Sequence, residues 1–342
     1  MALSDSRKKK LDMLVQSLAK KDFAAAADLL RRNGHSAINR HGAAPEKSTP
    51  ADLAEIAKSQ AIPGEEQDAD GIAKSPAVPQ RTGPLTLIDA CGGAETHLVI
   101  GECCHKHWLI RKTLTEVDPE CLPAAREFAS VLRGARQRVD ELKASPALCH
   151  VLDAQPEHLL FMDIETCGLY GTALFLVGIM MYEGEQLIFE QHLARDYSEE
   201  AAVLHRFARR LDETGVLVTF NGKTFDMNMI RDRCAFHGVD LCDRMPPHLD
   251  LLHESRRRWK GKLPNCKLQT LEKHLCGRLR QGDIPGWAIP DAYHRFVDNG
   301  DARALADILH HNLLDLLTMA QVLTAVITQC DPVEMDKRPR KG

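Results

Sequence analysis

The sequence predicts an α/β domain over residues 158–330, a mixed central sheet flanked by helices. Two observations lead there. Three apolar runs of strand length come first, LLFMDI, LFLVGIMMY and QLIFEQHLA, with Glu183-Gly184-Glu185 between the second and third as a hairpin signal. Strand and helix patterns then alternate: a helix over 198–213, the strand VLVTF and a helix over 225–237. After a turn marked by Met245-Pro246-Pro247 and an irregular basic stretch, a long helix follows over 301–328. A meander of strands followed by alternation with helices makes the sheet mixed.

Upstream the composition changes twice. Over residues 1–34, Leu11, Leu14, Val15, Leu18, Phe23, Ala26, Leu29 and Leu30 recur mostly at helical spacing and stop at Asn33-Gly34, which predicts an amphipathic helical segment that packs against something or recruits a protein partner. Residues 35–84 are rich in Ala, Pro, Gly, Ser and charge, too poor in large apolar side chains to offset the entropy of ordering, and read as a flexible linker. Residues 85–157 read as a lead-in, with LTLIDA and HLVIG as short strands and 122–142 as a helix; 331–342 read as a tail. Cys103, Cys104, His105 and His107 crowd one run, but no second Cys pair closes a tetrahedral zinc set, so they read as structural.

With 342 residues, 44% of them hydrophobic, the chain can build one large core or two smaller ones. Its net charge of -4 excludes a basic polymer that coats nucleic acid or anionic membrane unaided, so any such binding needs a local patch. Eleven cysteines without repeated spacing point to reduced thiols and a cytoplasmic setting. The N-terminus lacks a secretory pattern, and no uncharged apolar stretch is long enough to span a bilayer, so no membrane role is expected.

Four carboxylates stand where strands end or helices turn inward. Asp163 and Glu165, in MDIETCGL, are two apart, so on a strand both point to one side. Burying two acids at the end of an apolar strand is costly unless positive charge neutralises them, and a hard divalent cation does so. Asp226 lies in TFNGKTFD, where VLVTF runs into an Asn-Gly turn and a helix opens. Asp315 lies in HHNLLDLL, among residues that otherwise keep an apolar face. Each has an ordinary reading alone: Asp163 as a turn cap, Glu165 as a surface acid, Asp226 as a first-turn acid complementing the helix dipole, Asp315 as solvent-facing. In this order, after these element types, a shared metal site is the simpler reading.

The order Asp-x-Glu, then Asn-Gly-x-x-x-Asp, then His with a downstream Asp resembles the DEDD exonuclease superfamily. More narrowly, FMDIETCGL, FNGKTFDMNMIRDRC, HLDLLHESRRRWKGKLPNCKLQTLEKHLCG, DIPGWAIPDAYHRF and HHNLLDLLTMA look like the YprB-type RNase H-like family, over roughly the second half of the chain. The resemblance implies an RNase H-like fold and a metal-dependent nuclease, a 3′→5′ exonuclease using two cations about 3.5–4 Å apart. It also implies that Asp163 bridges both ions while Glu165, Asp226 and Asp315 complete the set, and Mg²⁺ or Mn²⁺ suits such oxygen ligands. The family divides on whether a tyrosine or a histidine accepts the proton of the attacking water. Here no tyrosine stands near Asp315, but His310 and His311 are adjacent. His310 has the four intervening residues usual in the histidine branch, whereas His311 has three and shares a helix face with Asp315 as an i, i+4 pair, which favours it as the base.

Substrate contacts are expected from Thr166 and Gly168, which leave room for backbone to approach a terminal nucleotide, and from Asn221 and Lys223, placed for phosphate or sugar. Arg256, Arg257, Arg258, Lys260 and Lys262 surround Trp259, a run that could grip phosphates and stack a base, though a solvated helix face reads equally well. The expected partner is nucleic acid, DNA or RNA, as a single strand or at a 3′ end. Asp250 reads as a helix cap or a support for the acids, and Cys266 and Cys276 as packing residues. Two other functions stay open, a non-catalytic nucleic-acid-binding or partner module with an RNase H-like fold and a structure-selective endonuclease, because fold does not fix function.

Overall fold

The computed structural model describes residues 85–332 apart from 93, 101–105, 120–121, 170 and 242–244. The expected segments at 1–34 and 35–84, the residues Cys103, Cys104 and His105, and most of the tail at 331–342 therefore lie outside the described residues. The described strands are β1 Glu95–Ile100, β2 Lys106–Thr113, β3 Leu159–Thr166, β4 Leu174–Glu183, β5 Gln186–Leu193, β6 Val216–Thr219 and β7 His248–Asp250. They form one sheet in the order β1-β2-β5-β4-β3-β6-β7. The pairs from β1 through to β3 are antiparallel and β3-β6-β7 is parallel, the mixed sheet that a meander followed by alternation predicts. Gly184 and Glu185, both left-handed with φ of 58° and 64°, make the β4-β5 turn, whose twist matches that of the strands. The β1-β2 hairpin adds to the β5 edge, so the lead-in region extends the same sheet.

Strand alternation sends side chains to two cores. Leu159 and Phe161 belong to one, Leu160, Met162 and Ile164 to the other. Helices cover both. They are α1 Leu122–Arg133, α2 Pro146–Asp153, α3 Glu200–Asp212, α4 Asp226–His237, α5 Leu251–Trp259, α6 Ile289–Asn299 and α7 Arg303–Thr328. Phe128 of α1, Val151 of α2 and Trp259 of α5 join the Phe161 core, while Phe207 of α3, Met229 of α4 and Tyr293 of α6 join the Met162 core. By length and composition α7 could cross a bilayer, but 72% of its apolar window is buried, as in the core helix of a globular unit.

Two expectations fail locally. LTLIDA contains a helical turn, Leu87–Ala90, instead of a strand: Thr86 Oγ1 accepts the Asp89 N–H at 3.2 Å and Asp89 Oδ2 accepts the Thr86 N–H at 3.3 Å, a capping box that competes with extended backbone. The helix expected over 122–142 stops at Arg133, before Gly134, and continues as a 3₁₀ turn over Ala135–Arg138 and a short turn over Val139–Leu142.

Candidate active site

Because β3 alternates, Asp163 shares the Phe161 side, and α7 lies over it. Asn312 of α7, fully buried, donates from Nδ2 to Asp163 Oδ2 at 2.9 Å, and its Oδ1 accepts from Gln191 Nε2 at 2.9 Å. Gln191 Nε2 also donates to the Leu309 carbonyl at 2.8 Å. Gly178, the cross-strand partner of Asp163, makes this approach possible: a Cβ there would stand 2.0 Å from Asn312 Oδ1. Sequence reasoning missed Asn312 and Gln191; the one signal for Asn312 was a polar residue on the inward face of an apolar helix, and for Gln191 a polar residue in the apolar strand β5.

Asp226 is positioned by a turn that closes through side chains. The chain leaves β6 at Thr219, takes φ of 65° at Asn221 and enters α4 at Asp226. Asp250 Oδ1 accepts the N–H of Asn221 at 2.8 Å and of Leu252 at 3.0 Å, and its Oδ2 accepts the N–H of Lys223 at 3.2 Å. Asp250 therefore both caps α5 and ties down the Asn-Gly turn. Gly222 admits no side chain, since a Cβ would stand 2.4 Å from Thr219 Oγ1 and 2.7 Å from Asp226 Oδ2.

Asp315 belongs to a closed ring of charges that the sequence did not suggest. Arg280 donates from Nη2 to Asp315 Oδ1 at 2.5 Å, from Nε to Glu272 Oε2 at 2.6 Å and from Nη1 to Asp283 Oδ2 at 3.3 Å. Asp283 Oδ1 in turn lies 2.8 Å from His311 Nδ1, and His311 Nε2 stands 3.5 Å from Asp315 Oδ2. With Asp283 accepting from Nδ1–H, a neutral His311 carries its lone pair on Nε2, beside Asp315.

Burial raises all four carboxyls, and like charge adds to it. Burial first, then the charges of Asp315 and Asp226, pushes the Asp163 carboxyl well above its usual value, with His311 and the Asn312 amide opposing. Glu165 rises through burial and the charges of Asp163, Asp315 and Asp226. Asp226 is raised to about 8 by burial and by Asp250 and Asp315. Burial also raises Asp315, against Arg280 and His311. His311 behaves oppositely: burial disfavours its imidazolium, but the hydrogen bond to Asp283 and the neighbouring carboxylates win and raise it. Clustered carboxylates short of positive charge and offering hard oxygens fit a hard divalent cation. Among the described residues no three of His, Cys, Asp and Glu stand in closed ligand geometry, and Arg280 holds one Asp315 oxygen, so admitting an ion requires these side chains to adjust.

Asp163, Glu165, His311 and Asp315 line a cleft of about 430 Å³ together with Thr166, Gly168, Leu169 and Trp287. Thr166 Oγ1 donates to the Gly168 carbonyl at 2.6 Å, shaping its edge. His310 is exposed and lines a different cavity, with Arg280 and Asp283, so His311 is the histidine that reaches the cleft. Asn221 and Lys223 are exposed and do not line it. The basic run is not brought there either: Arg257, Arg258 and Lys262 line a separate polar cavity of about 460 Å³. Arg256 and Lys260 are exposed. Trp259 corrects an expectation outright. At 2% exposure, with Nε1 donating to the Cys330 carbonyl at 3.3 Å, it is a core residue and cannot stack a base.

Comparison with known proteins bears on the fold family. The family model RNase_H_2, of the RNase_H superfamily, matches residues 160–327. The chain is 36% identical over 183 residues to the uncharacterized protein YprB of Bacillus subtilis (strain 168), a match that takes in 50% of this chain and 43% of that protein. The chain thus spans less than half the length of the curated relative it matches. Among solved structures it is similar to the family B DNA polymerase from the hyperthermophilic archaeon Pyrobaculum calidifontis, at 17% identity and a TM-score of 0.39, over 48% of this chain and 24% of that one. Residues 160–327, with their mixed sheet, thus form a YprB-type RNase H-like domain.

Proposed function

We propose that the cleft hydrolyses phosphodiester bonds of nucleic acid, removing nucleotides from the 3′ end of a DNA or RNA strand with the help of Mg²⁺ or Mn²⁺. One observation carries the reading: acids from distant chain segments, Asp163 and Glu165 of β3 and Asp315 of α7, line one cleft together with His311, and Asp226 at the start of α4 lies near enough for the charge of Asp315 to act on it. In this reading those four residues hold two divalent ions, which when bound activate water and stabilise the leaving oxygen. The remaining work falls to the protein. His311 takes the proton of the attacking water at Nε2, Asp283 holds its tautomer from the other side, and Arg280 and Asn312 orient Asp315 and Asp163.

The test is digestion of 5′-labelled single strands, DNA and RNA, with Mg²⁺ or Mn²⁺, by the wild-type chain and by Asp163→Ala. Stepwise shortening from the 3′ end that the variant loses supports the reading; equal digestion by both eliminates it. Cutting of a circular substrate would make the enzyme an endonuclease. The Arg280–Asp315 ion pair favours one further possibility, a non-catalytic nucleic-acid-binding module in which an internal guanidinium stands in for a metal. Tight strand binding without turnover in either cation would decide for it.

A further inference from the structure

The two most exposed large apolar side chains among the described residues, Trp287 at 79% and Leu169 at 70%, both line the acidic cleft. Isolated exposed apolar residues are ordinary, but two such residues lining one cleft with clustered acids are not. The Trp287 indole makes no hydrogen bond or ring contact with any described residue. Its backbone is fixed. It sits on a 3₁₀ turn, Gly286–Ala288, closed by the Ala288 N–H on the Pro285 carbonyl at 2.8 Å. The turn leads into α6 with Pro290 in its first turn. Pro285 and Pro290 flank the turn in sequence, and α6 is anchored in the core by Tyr293, stacked on Phe175 with ring centroids 3.9 Å apart. An aromatic side chain has only two χ angles to fix and so loses little entropy when a flat partner covers it.

We propose that Trp287 is a base-stacking residue, which takes the unpaired base of a strand's terminal nucleotide while the phosphate next to it faces Asp163, Glu165 and Asp315. The inference rests on the nuclease reading above and narrows its substrate to unpaired strand ends. Three observations favour a nucleobase as the occupant. The apolar ring is continuous with the acids in one cleft. Every base offers a π face to an indole whatever its identity. A cleft of about 430 Å³ falls in the range that encloses one small ligand. The sequence expected one tryptophan to stack a base, and the structure gives that part to Trp287 in place of Trp259.

The experiment measures binding of a 5′-fluorescein oligothymidylate by the full chain, with Ca²⁺ as the cation and strand integrity checked on a gel. The strand ends at its 3′ terminus either in a normal nucleotide or in an abasic one. From the usual strength of base–aromatic stacking, the wild-type chain should bind the normal end roughly tenfold to a hundredfold more tightly than the abasic end. Trp287→Ala should bind both equally, Trp287→Phe should keep most of the preference, and the thermal midpoint should not move, because the side chain is exposed. A wild-type chain indifferent to the terminal base, or an undiminished preference in Trp287→Ala, overturns the proposal. The two readings also fail separately: cleavage without the preference sinks only the stacking role, and the preference without cleavage in Mg²⁺ or Mn²⁺ sinks only the nuclease. No strand binding at all sinks both.

Discussion

Replacing Asp226 by asparagine should make the metal-free protein more stable. The residue is 5% exposed, and burial together with the charges of Asp250 and Asp315 raises its carboxyl from 3.8 to about 8. A folded-state value above the unfolded one means that the folded chain keeps a proton the unfolded chain releases. Stability therefore falls as pH climbs from about 4 to about 8 and levels off above that. At about 1.4 kcal/mol per unit, the full penalty, reached above pH 8, is bounded at about 6 kcal/mol. Relaxation of the site and entry of water reduce it, so a gain of about 2 kcal/mol is a conservative expectation. In a domain of this size that is about 4–8 °C in Tm. Scanning calorimetry in EDTA should show the gain at pH 8 and its disappearance near pH 4. On adding Mg²⁺ or Mn²⁺ the wild-type protein should recover about 2.7 kcal/mol at a hundredfold excess over Kd, and the variant much less. A variant that melts lower at pH 8, or a difference that ignores pH, would refute the claim that the acids form a site short of positive charge.

Gly222→Ala forces a Cβ to 2.4 Å from Thr219 Oγ1 and should cost about 1–3 kcal/mol in urea melts while displacing Asp226; wild-type stability would count against the tight turn. Asp250→Ala strands the N–H groups of Asn221, Lys223 and Leu252 and should cost at least ~2 kcal/mol, with Asp250→Asn milder, as read from denaturant midpoints. Glu200 governs part of the acid limb. Burial alone would raise its carboxyl, but hydrogen bonds from Arg233, His237 and the Leu174 N–H hold it below its usual value. Its contribution is therefore present above about pH 4.5 and lost as pH falls through the folded value, so Glu200→Gln should flatten acid unfolding followed by circular dichroism. Should the chain prove to be a nuclease, Asp283→Asn should lower kcat by about tenfold to a hundredfold with little change in KM, because it loosens the tautomer of His311; equal changes in both would point to a binding role instead.

What the residues could announce by themselves was whatever lies in a local period. The apolar run LLFMDI and 3.6-residue spacing in the last helix predicted β3 and α7, and the order of Asp163, Glu165, Asp226 and Asp315 along the chain pointed to one site. Local pattern misled where side chains competed with backbone, as Thr86 and Asp89 did in LTLIDA. Tertiary structure alone decided the rest, because through-space contacts leave no trace in spacing. Arg280 meets Asp315 across 35 positions, His311 meets Asp283 across 28, and Asn312 reaches Asp163 across 149. The same holds for the two histidines, separated only by how packing rotates α7, and for the two tryptophans: a partner 71 residues away, Cys330, draws Trp259 into the core, while the turn before α6 leaves Trp287 in water.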